Sequence, residues 1–331
     1  MKVTILGCGS FGSTLGQILN DNKHEVLLYD INENLVNKFN NDHLHPFFDG
    51  IKLPDNLKAT TNLEEAINYS KTIFIILPTK YIRDTLKKIN PLLKDKKIFI
   101  NGSKGLEPDT FKRVSEIVDE EINKNYLEGF GCISGPAHAE ELVLRKVTLM
   151  VSASKNQSLA KKIQHLLNND SYLRMYTSND LIGVELCAAI KNAIAVSSGA
   201  ITGLGYGENT RAALISRGLL EMLRIVEKLG GKRQTVFGLT GLGDLIVTAS
   251  SMNSRNFRAG KKIGEGYKID EILKEEKQTI EGFRTIEACH NLKTKYNLSL
   301  PIIEASYEVI FNIKDINKVF PDLLKRELKS E

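Results

Sequence analysis

The chain opens with the segment KVTILGCGSFGSTLGQILN, residues 2–20. An apolar, β-branched run leads into the glycine-rich stretch Gly7-x-Gly9-x-x-Gly12, and apolar residues at helical spacing follow it. This order predicts a strand over Lys2–Leu6, a tight turn, and a helix over Ser10–Asn20. The helix would begin inside the turn, so its free backbone N–H groups and positive dipole end would lie beside the glycines.

The spacing of the three glycines is typical of a turn that binds a dinucleotide pyrophosphate. Gly7 permits the tight turn, Gly9 lets the backbone approach phosphate, and Gly12 lets the helix pack closely on the strand. A second predicted strand, Glu25–Tyr29, ends at Asp30, whose carboxylate suits a ribose hydroxyl and would repel a 2′-phosphate. The pattern therefore favours NAD over NADP. The alternative is an ordinary glycine-rich connection followed by a solvated strand-end acid.

The first half of the chain alternates short apolar strands with amphipathic helices, which predicts a mostly parallel sheet buried on both faces. The predicted strands are Lys2–Leu6, Glu25–Tyr29, Leu57–Thr60, Thr72–Leu77, Lys97–Asn101, Gly131–Ser134 and Val147–Ser152, and the predicted helices are Ser10–Asn20, Leu63–Tyr69, Lys80–Ile89 and Thr110–Lys124. The fold expected for this half is a doubly wound α/β Rossmann domain.

After residue 179 the patterns are helical, and no further strand is predicted. The predicted helices are Leu181–Ser198 with Asp180 as its cap, Arg211–Leu229 capped by Asn209 or Thr210 and stopped by Gly230-Gly231, Val236–Thr248, Asp270–Lys274, Thr285–Tyr296 and Pro301–Phe311. We therefore expect a dinucleotide-binding domain at residues 1–179 and an all-α substrate domain at residues 180–331.

Composition restricts the class of protein. The 331 residues are 42% hydrophobic and 26% charged, as in ordinary globular proteins, and the net charge of +5 comes from mixed charges without a basic block. A nucleic-acid partner is therefore not expected. The four cysteines lie far apart, which argues against a disulfide framework or a zinc site, and the pair His43 and His45 has no ligand cluster around it.

Neither an export signal nor a membrane span is predicted. The apolar run Val3–Leu6 is too short for an export signal. The most apolar stretch, Leu181–Leu204, is interrupted by Glu185, Lys191 and Asn192. The expected location is the cytoplasm.

Lys191 is the first candidate for catalysis. It shares one helical face with small apolar residues such as Cys187 and Ala188. Such a lysine either extends its ammonium group to solvent or lies in the wall of a cleft, where desolvation favours the neutral amine and general acid–base chemistry. The neighbouring Asn192, a second polar group in an apolar helix, favours the cleft.

Further candidates lie on both sides of this lysine. Three glycines are unusual in the predicted helix that carries Asp244 and Thr248, two residues whose spacing places them on one face. Ser254-Arg255-Asn256 offers a guanidinium suited to phosphate. Asn101–Gly105 follows a predicted strand, at the sheet edge where α/β domains bind ligands.

Together these segments resemble the NAD(P)-dependent glycerol-3-phosphate dehydrogenases of the bacterial type. The resemblance covers nearly the whole chain and rests on Gly7–Gly12, Ser103–Glu107, Ile133–Pro136, Ala188–Asn192, Gly241–Leu245, Ser254–Asn256 and Glu281–Arg284. It implies reversible hydride transfer between NAD(P)H and dihydroxyacetone phosphate, supply of glycerol 3-phosphate for phospholipid synthesis, and a homodimer.

The resemblance also implies roles for individual residues. Lys191 would transfer the hydroxyl proton, and Asp244 would orient Lys191 or the substrate. The implied substrate contacts are Lys104, Gly135, Ala137, Lys191, Asp244, Ser254, Arg255 and Asn256. The implied cofactor contacts, besides Gly7, Gly9, Gly12 and Asp30, are Ser10, Phe11, Lys104, Ala139, Arg255, Thr279 and Glu281. Contacts of the two alanines would run through backbone atoms.

One departure from the family pattern concerns the cofactor. Many relatives carry an arginine or histidine just after the second strand, whereas this chain has Tyr29-Asp30-Ile31-Asn32. We therefore expect NAD to be preferred, with NADP possible. Two other interpretations stay open: a related two-domain hydroxy-acid dehydrogenase, which would need a carboxylate clamp, and a non-catalytic NAD-sensing protein, which would have no need of Lys191.

Overall fold

A computed structural model describes residues 1–275, 280–325 and 327. The chain divides into two compact units, Met1–Leu181 and Ile182–Glu331. The first unit alternates strands and helices, and every element described in the second is helical.

The first unit is built on one eight-stranded sheet. Its strands are β1 (Lys2–Leu6), β2 (Glu25–Tyr29), β3 (Lys58–Thr60), β4 (Thr72–Ile75), β5 (Lys97–Asn101), β6 (Leu127–Ser134), β7 (Thr148–Ala153) and β8 (Leu173–Ser178), in the spatial order β3-β2-β1-β4-β5-β6-β7-β8. All neighbours pair in parallel except β6 and β7. The strand order reverses between β1 and β4, which is where doubly wound folds bind ligands.

Helices cover both faces of this sheet. They are α1 (Ser10–Asp21), α2 (Glu33–Asp42), α3 (Leu63–Tyr69), α4 (Ile82–Ile89), α5 (Val114–Glu121), α6 (Ala139–Leu142) and α7 (Gln157–Leu167). Along β4, Phe74 belongs to one buried apolar cluster, and Ile73 and Ile75 belong to another. Because successive strand residues face opposite sides, these clusters are the two cores of a sheet that is buried on both faces.

The second unit is a set of packed helices. They are α8 (Leu181–Gly203), α9 (Glu208–Lys228), α10 (Arg233–Val236), α11 (Asp244–Ser250), α12 (Arg255–Gly264), α13 (Ile269–Glu275), α14 (Glu281–Tyr296), α15 (Pro301–Ile310) and α16 (Ile316–Asp322). Helix α8 is long and apolar enough to span a membrane, but 94% of its apolar window is buried within the protein. That burial is typical of the central helix of a packed domain.

Helices α8 and α12 pack against each other through glycines. A Cβ atom on Gly199 would lie 2.0 Å from the Phe257 carbonyl oxygen, and one on Gly260 would lie 2.0 Å from that of Val196. The two backbones are therefore in direct contact along this seam. This contact fixes the start of α12 beside the stretch of α8 that carries Lys191 and Asn192.

The predicted fold class, a Rossmann α/β domain followed by an all-α domain, is confirmed. Several local predictions are wrong. Helix α9 begins at Glu208 with Gly207 as its cap, not at Asn209 or Thr210. The predicted helix Val236–Thr248 is three pieces. Two of its three glycines lie in a single π-helical turn, Leu239–Gly243, between α10 and α11, and the third, Gly238, is the N-cap of that turn. Elements that were not predicted are α2, α6, α7, β8, α12 and α16.

Candidate active site

The glycine-rich turn joins β1 to α1 at the point where the strand order reverses. Gly7 has φ +112°, and a Cβ atom there would lie 2.3 Å from the Ile76 carbonyl oxygen just beyond β4. A Cβ on Gly12 would lie 2.0 Å from the Gly7 carbonyl oxygen. Both positions therefore require glycine, for the turn and for the close packing of α1 on it.

The space above Gly9 is open, as the close approach of a phosphate to the backbone requires. A Cβ atom built on Gly9 meets nothing within 4 Å, in contrast to its two partner glycines. Gly9 is the N-cap of α1 and supplies no capping side chain, and the first turn of α1 has no acidic residue. The amides of Ser10 and Phe11, which have no intrahelical acceptor at this helix start, can therefore donate to an anion.

Asp30, which directly follows β2, is hydrogen-bonded to the same turn. Its Oδ2 accepts a hydrogen bond from the Cys8 N–H at 2.9 Å, and its Oδ1 accepts one from the Asn32 N–H at 3.0 Å. The carboxylate is thus held against the glycine-rich turn. This position fits the ribose of a dinucleotide whose pyrophosphate lies over Gly9.

The loops after β5 and β6 add further groups at this sheet edge. Ser103 Oγ accepts a hydrogen bond from the Leu77 N–H at 3.0 Å, and the Lys104 Nζ atom lies 3.5 Å from the Gly135 carbonyl oxygen. Of the small predicted contacts, Ala137 is 7% exposed and Ala139, the first residue of α6, is 8% exposed. Lys104, Gly135 and the glycine-rich turn therefore share the carboxyl edge of one sheet.

His45, which the sequence analysis considered only as one of a histidine pair for a metal, lies beside the turn. Its ring is 4% exposed, and Nε2 lies 3.2 Å from the Ser10 carbonyl oxygen. Nδ1 accepts a hydrogen bond from the Phe47 N–H at 3.2 Å, so the proton of the neutral ring is on Nε2. Burial lowers the pKa of His45 to about 4, against a smaller opposing effect of the Ser10 carbonyl. The signal in the sequence, a histidine within an otherwise unassigned loop, is weak.

In the second unit Lys191 lies at the centre of a buried polar cluster. It is 3% exposed, and Nζ donates hydrogen bonds to Asp244 Oδ1 and, at 2.9 Å, to Thr248 Oγ1. The Thr248 hydroxyl in turn donates to Asp244 Oδ1 at 3.3 Å. The cleft-wall interpretation of Lys191 thus agrees with this burial, and the ammonium group is not extended to solvent.

The π-helical turn Leu239–Gly243 places Asp244 in this cluster. A Cβ atom on Gly241 would lie 2.0 Å from the Val236 carbonyl oxygen, so glycine is needed where the widened turn crosses α10. Asp244 then begins α11 and is 1% exposed. Wide helical turns of this kind occur often at functional sites.

An amide chain joins α8, α12 and α14. Asn256 Nδ2 donates to Asn192 Oδ1 at 2.9 Å, and Asn256 Oδ1 accepts from the Gly282 N–H at 2.9 Å. Glu281, the first residue of α14, is tethered through this bond to the start of α12. Asn192, which the sequence singled out only as the neighbour of Lys191, is therefore linked directly to α12 and, through Asn256, to α14.

The start of α12 presents the predicted anion-binding trio. Ser254 is the N-cap and its hydroxyl accepts from the Phe257 N–H at 3.3 Å, while Arg255 is half-buried at the first helical position. Thr279, the remaining predicted cofactor contact, lies outside the described residues. Among the residues that the structure describes, no group of three His, Cys, Asp or Glu side chains could hold a metal ion.

A dinucleotide turn at the switch point of a Rossmann sheet, joined in the same chain to a helical unit with a buried lysine–aspartate pair, defines the two-domain NAD(P)-dependent dehydrogenases. Residues 2–160 match the model of the NAD-dependent glycerol-3-phosphate dehydrogenase N-terminus, and residues 180–321 match that of its C-terminus. The chain belongs to the glycerol-3-phosphate dehydrogenase family, whose members are NAD(P)-dependent oxidoreductases acting on a CH–OH group.

Known relatives match over their full length. A glycerol-3-phosphate dehydrogenase [NAD(P)+] of Acholeplasma laidlawii is 52% identical, over 100% of this chain and 99% of the relative. One of Staphylococcus haemolyticus is 43% identical over the same shares of the two chains. The crystal structure of the Coxiella burnetii glycerol-3-phosphate dehydrogenase superposes with a TM-score of 0.93 at 32% identity, covering 98% of this chain and 99% of that one.

Proposed function

We propose that the chain interconverts sn-glycerol 3-phosphate and dihydroxyacetone phosphate, with NAD preferred and NADP accepted. Residues 1–179 bind the dinucleotide, and residues 180–331 carry the reacting lysine. The observation that carries the proposal is the buried Lys191, whose ammonium group is held by Asp244 and Thr248. The full-length relatives and the family models support the substrate.

The chemistry divides between cofactor and protein. The reduced nicotinamide, when bound, supplies a hydride to the carbonyl carbon. Lys191 donates a proton from Nζ to the carbonyl oxygen, so the ketone becomes a secondary alcohol and the amine is left neutral. In the oxidative direction the neutral amine accepts the hydroxyl proton. Before transfer, the ammonium charge polarises the carbonyl.

Asp244 and Thr248 make Lys191 suitable for this role. Their oxygens accept hydrogen bonds from Nζ and fix its direction, in a setting where the lysine is 3% exposed. A fixed donor needs little rearrangement when the substrate oxygen arrives. Asp244 also balances the ammonium charge, which would otherwise be costly to bury.

The start of α12 binds the phosphate group of the substrate in this proposal. Arg255 provides a guanidinium for charge-assisted hydrogen bonds, and the helix start adds backbone N–H groups. Asn256 uses one Nδ2 hydrogen on Asn192, and its second hydrogen suits a phosphate oxygen. Ser254, which is 4% exposed, caps the helix start that carries Arg255 and Asn256. Binding the phosphate in this way would align the carbonyl with Lys191.

The remaining contacts are carried by the resemblance to the family. Lys104, Gly135 and Ala137 of the first unit are proposed to contact the substrate. For the cofactor we propose the glycine-rich turn with Ser10 and Phe11, and also Asp30, Lys104, Ala139, Arg255, Thr279 and Glu281. We further propose that the protein acts in the cytoplasm as a homodimer and supplies glycerol 3-phosphate for phospholipid synthesis, without nucleic-acid partners or membrane insertion.

The deciding assay is NADH oxidation with dihydroxyacetone phosphate, for the natural protein and for Lys191→Ala. We expect turnover in the first and a loss of about 10³-fold in the second, the size of a general-acid contribution. Lys228→Ala, which removes an exposed lysine of α9, is the matched control. Turnover of 2-keto acids instead would favour the hydroxy-acid dehydrogenase, and NADH binding without any turnover would favour the NAD-sensing protein.

A further inference from the structure

The loop that carries Lys104 has a strained backbone. Residues 102–113, here called the 102–113 loop, join β5 to α5. Asp109 and Phe111 have φ +65° and φ +56°, which L-residues adopt at a cost of about 1–2 kcal/mol each. Such a backbone persists only where surrounding contacts fix it.

Glu107 provides the contacts inside the loop. Its backbone N–H donates to the Lys112 carbonyl oxygen at 2.9 Å, and its own carbonyl accepts from the Phe111 N–H at 3.0 Å. Its carboxylate accepts a hydrogen bond from the Thr110 hydroxyl. The residue is 7% exposed, so this carboxylate is a buried charge within a strained turn.

Arg83 of α4 holds that charge. Its Nε donates to Glu107 Oε1 at 2.6 Å and its Nη2 to Oε2 at 2.8 Å, a bidentate pair. The guanidinium also bonds Glu120 and Glu121 of α5, so it ties the loop to two helices. Burial raises the pKa of Glu107, but the hydrogen bonds from Arg83 and Thr110 outweigh it and the pKa is lowered.

Lys104 lies between two anchors. On one side Ser103 accepts from the Leu77 N–H at 3.0 Å, and its own N–H donates to Asn101 Oδ1 at 2.9 Å. On the other side Glu107 is fixed by Arg83. Between the anchors lies Gly105, with φ +157°, and glycine restricts its own backbone less than any other residue.

We propose that Arg83 and Glu107 are positioning residues that hold Lys104 in place for the anionic substrate and the dinucleotide. The pair acts through the backbone of the 102–113 loop and touches neither molecule. This inference rests on the proposed role of Lys104.

The test is a double-mutant cycle between Glu107→Gln and Lys104→Met. Alone, Glu107→Gln should raise the KM for dihydroxyacetone phosphate about tenfold and change kcat less, because a misplaced lysine weakens binding. In the Lys104→Met background the same change should alter KM less than twofold. Glu121→Gln is the matched control, since it also removes a carboxylate from Arg83 but lies in α5 outside the loop, and it should leave KM unchanged.

Two measurements without turnover separate this inference from the proposed function. Hydrogen exchange should become faster in the 102–113 loop of Glu107→Gln and stay unchanged in α1. The same double-mutant cycle can be measured on the affinity for NADH. Glu107→Gln should weaken NADH binding when Lys104 is present and have little effect in the Lys104→Met background. Unchanged exchange, or equal effects with and without Lys104, overturns the inference. A natural protein that binds NADH but does not reduce dihydroxyacetone phosphate overturns the proposed function, and the NADH cycle then decides the inference.

Discussion

The carboxylate of Asp30 holds the backbone of Cys8, because its Oδ2 accepts the Cys8 N–H at 2.9 Å. One side chain therefore both shapes the glycine-rich turn and faces the region expected for the adenosine ribose. The two roles can be separated by asparagine, which keeps one side-chain oxygen to accept the Cys8 N–H and lacks the negative charge of Asp30.

Asp30→Asn should weaken discrimination against NADPH. We expect the KM for NADH to rise about threefold and that for NADPH to fall, because the repulsion of a 2′-phosphate is removed. Asp30→Ala should raise the KM for NADH about tenfold, since the turn also loses its bond. Steady-state kinetics with both cofactors measures this, with the exposed Glu33→Gln as control. A natural protein that prefers NADPH would contradict the assignment.

Lys191 and Asp244 should show strong coupling in stability. Lys191→Met alone leaves a buried carboxylate without its cation, and Asp244→Asn alone leaves a buried ammonium group without its anion. We expect each variant to lower the free energy of unfolding by about 3–5 kcal/mol. The double variant should recover most of this loss and remain inactive. Urea unfolding of all four proteins checks it. Additive losses in the double variant would mean that the pair is not coupled in the folded state.

Gly260→Ala should disturb the proposed phosphate site from a distance. The new Cβ would lie 2.0 Å from the Val196 carbonyl oxygen, so α12 must move away from α8. We expect a loss of about 1–3 kcal/mol in stability and a higher KM for dihydroxyacetone phosphate, with the KM for NADH changed less. Lys261→Ala is the control, because it lies in the same helix, adds no atom between α8 and α12 and removes only a partly exposed ion pair with Glu265. Equal melting temperatures for both variants would exclude the backbone contact.

His45 should make stability depend on pH. Its folded pKa of about 4 lies below the usual 6.5, so between those values the unfolded chain binds a proton that the folded chain does not. The contribution of His45 is therefore present above pH 6.5 and is lost as the pH falls toward 4, by no more than about 3 kcal/mol. In His45→Gln the free energy of unfolding should differ less between pH 7 and pH 5 than it does in the natural protein. The same pH dependence in that variant would assign the effect to other groups.

The sequence predicted what depends on local patterns. Strand, turn and helix around Gly7–Gly12 follow from neighbouring residues, and the lysine of α8 was recognised because polar groups are rare in an apolar helix. Strand β8 was missed although Leu173 and Met175 alternate with outward-facing residues, a signal of a half-buried strand.

Other features depend on contacts that local patterns do not show. Helix α12 contains two glycines, which lower its helix propensity, and it is stabilised by packing on α8. The predicted helix Val236–Thr248 is interrupted by a π-helical turn in which Gly241 leaves no room for a Cβ beside the Val236 carbonyl oxygen. The pair Arg83 and Glu107 is separated by 24 residues and meets only through the fold.

The glycine seam between α8 and α12 restricts how this enzyme can change during evolution. Because backbone meets backbone at Gly199 and Gly260, the distance between the two helices is already at its minimum, and any larger residue can only increase it. Selection for a larger or smaller substrate would therefore act on side chains at the start of α12 and on the π-helical turn. The spacing between Lys191, the proposed proton donor, and α12, the proposed anion-binding helix, would be inherited as one unit.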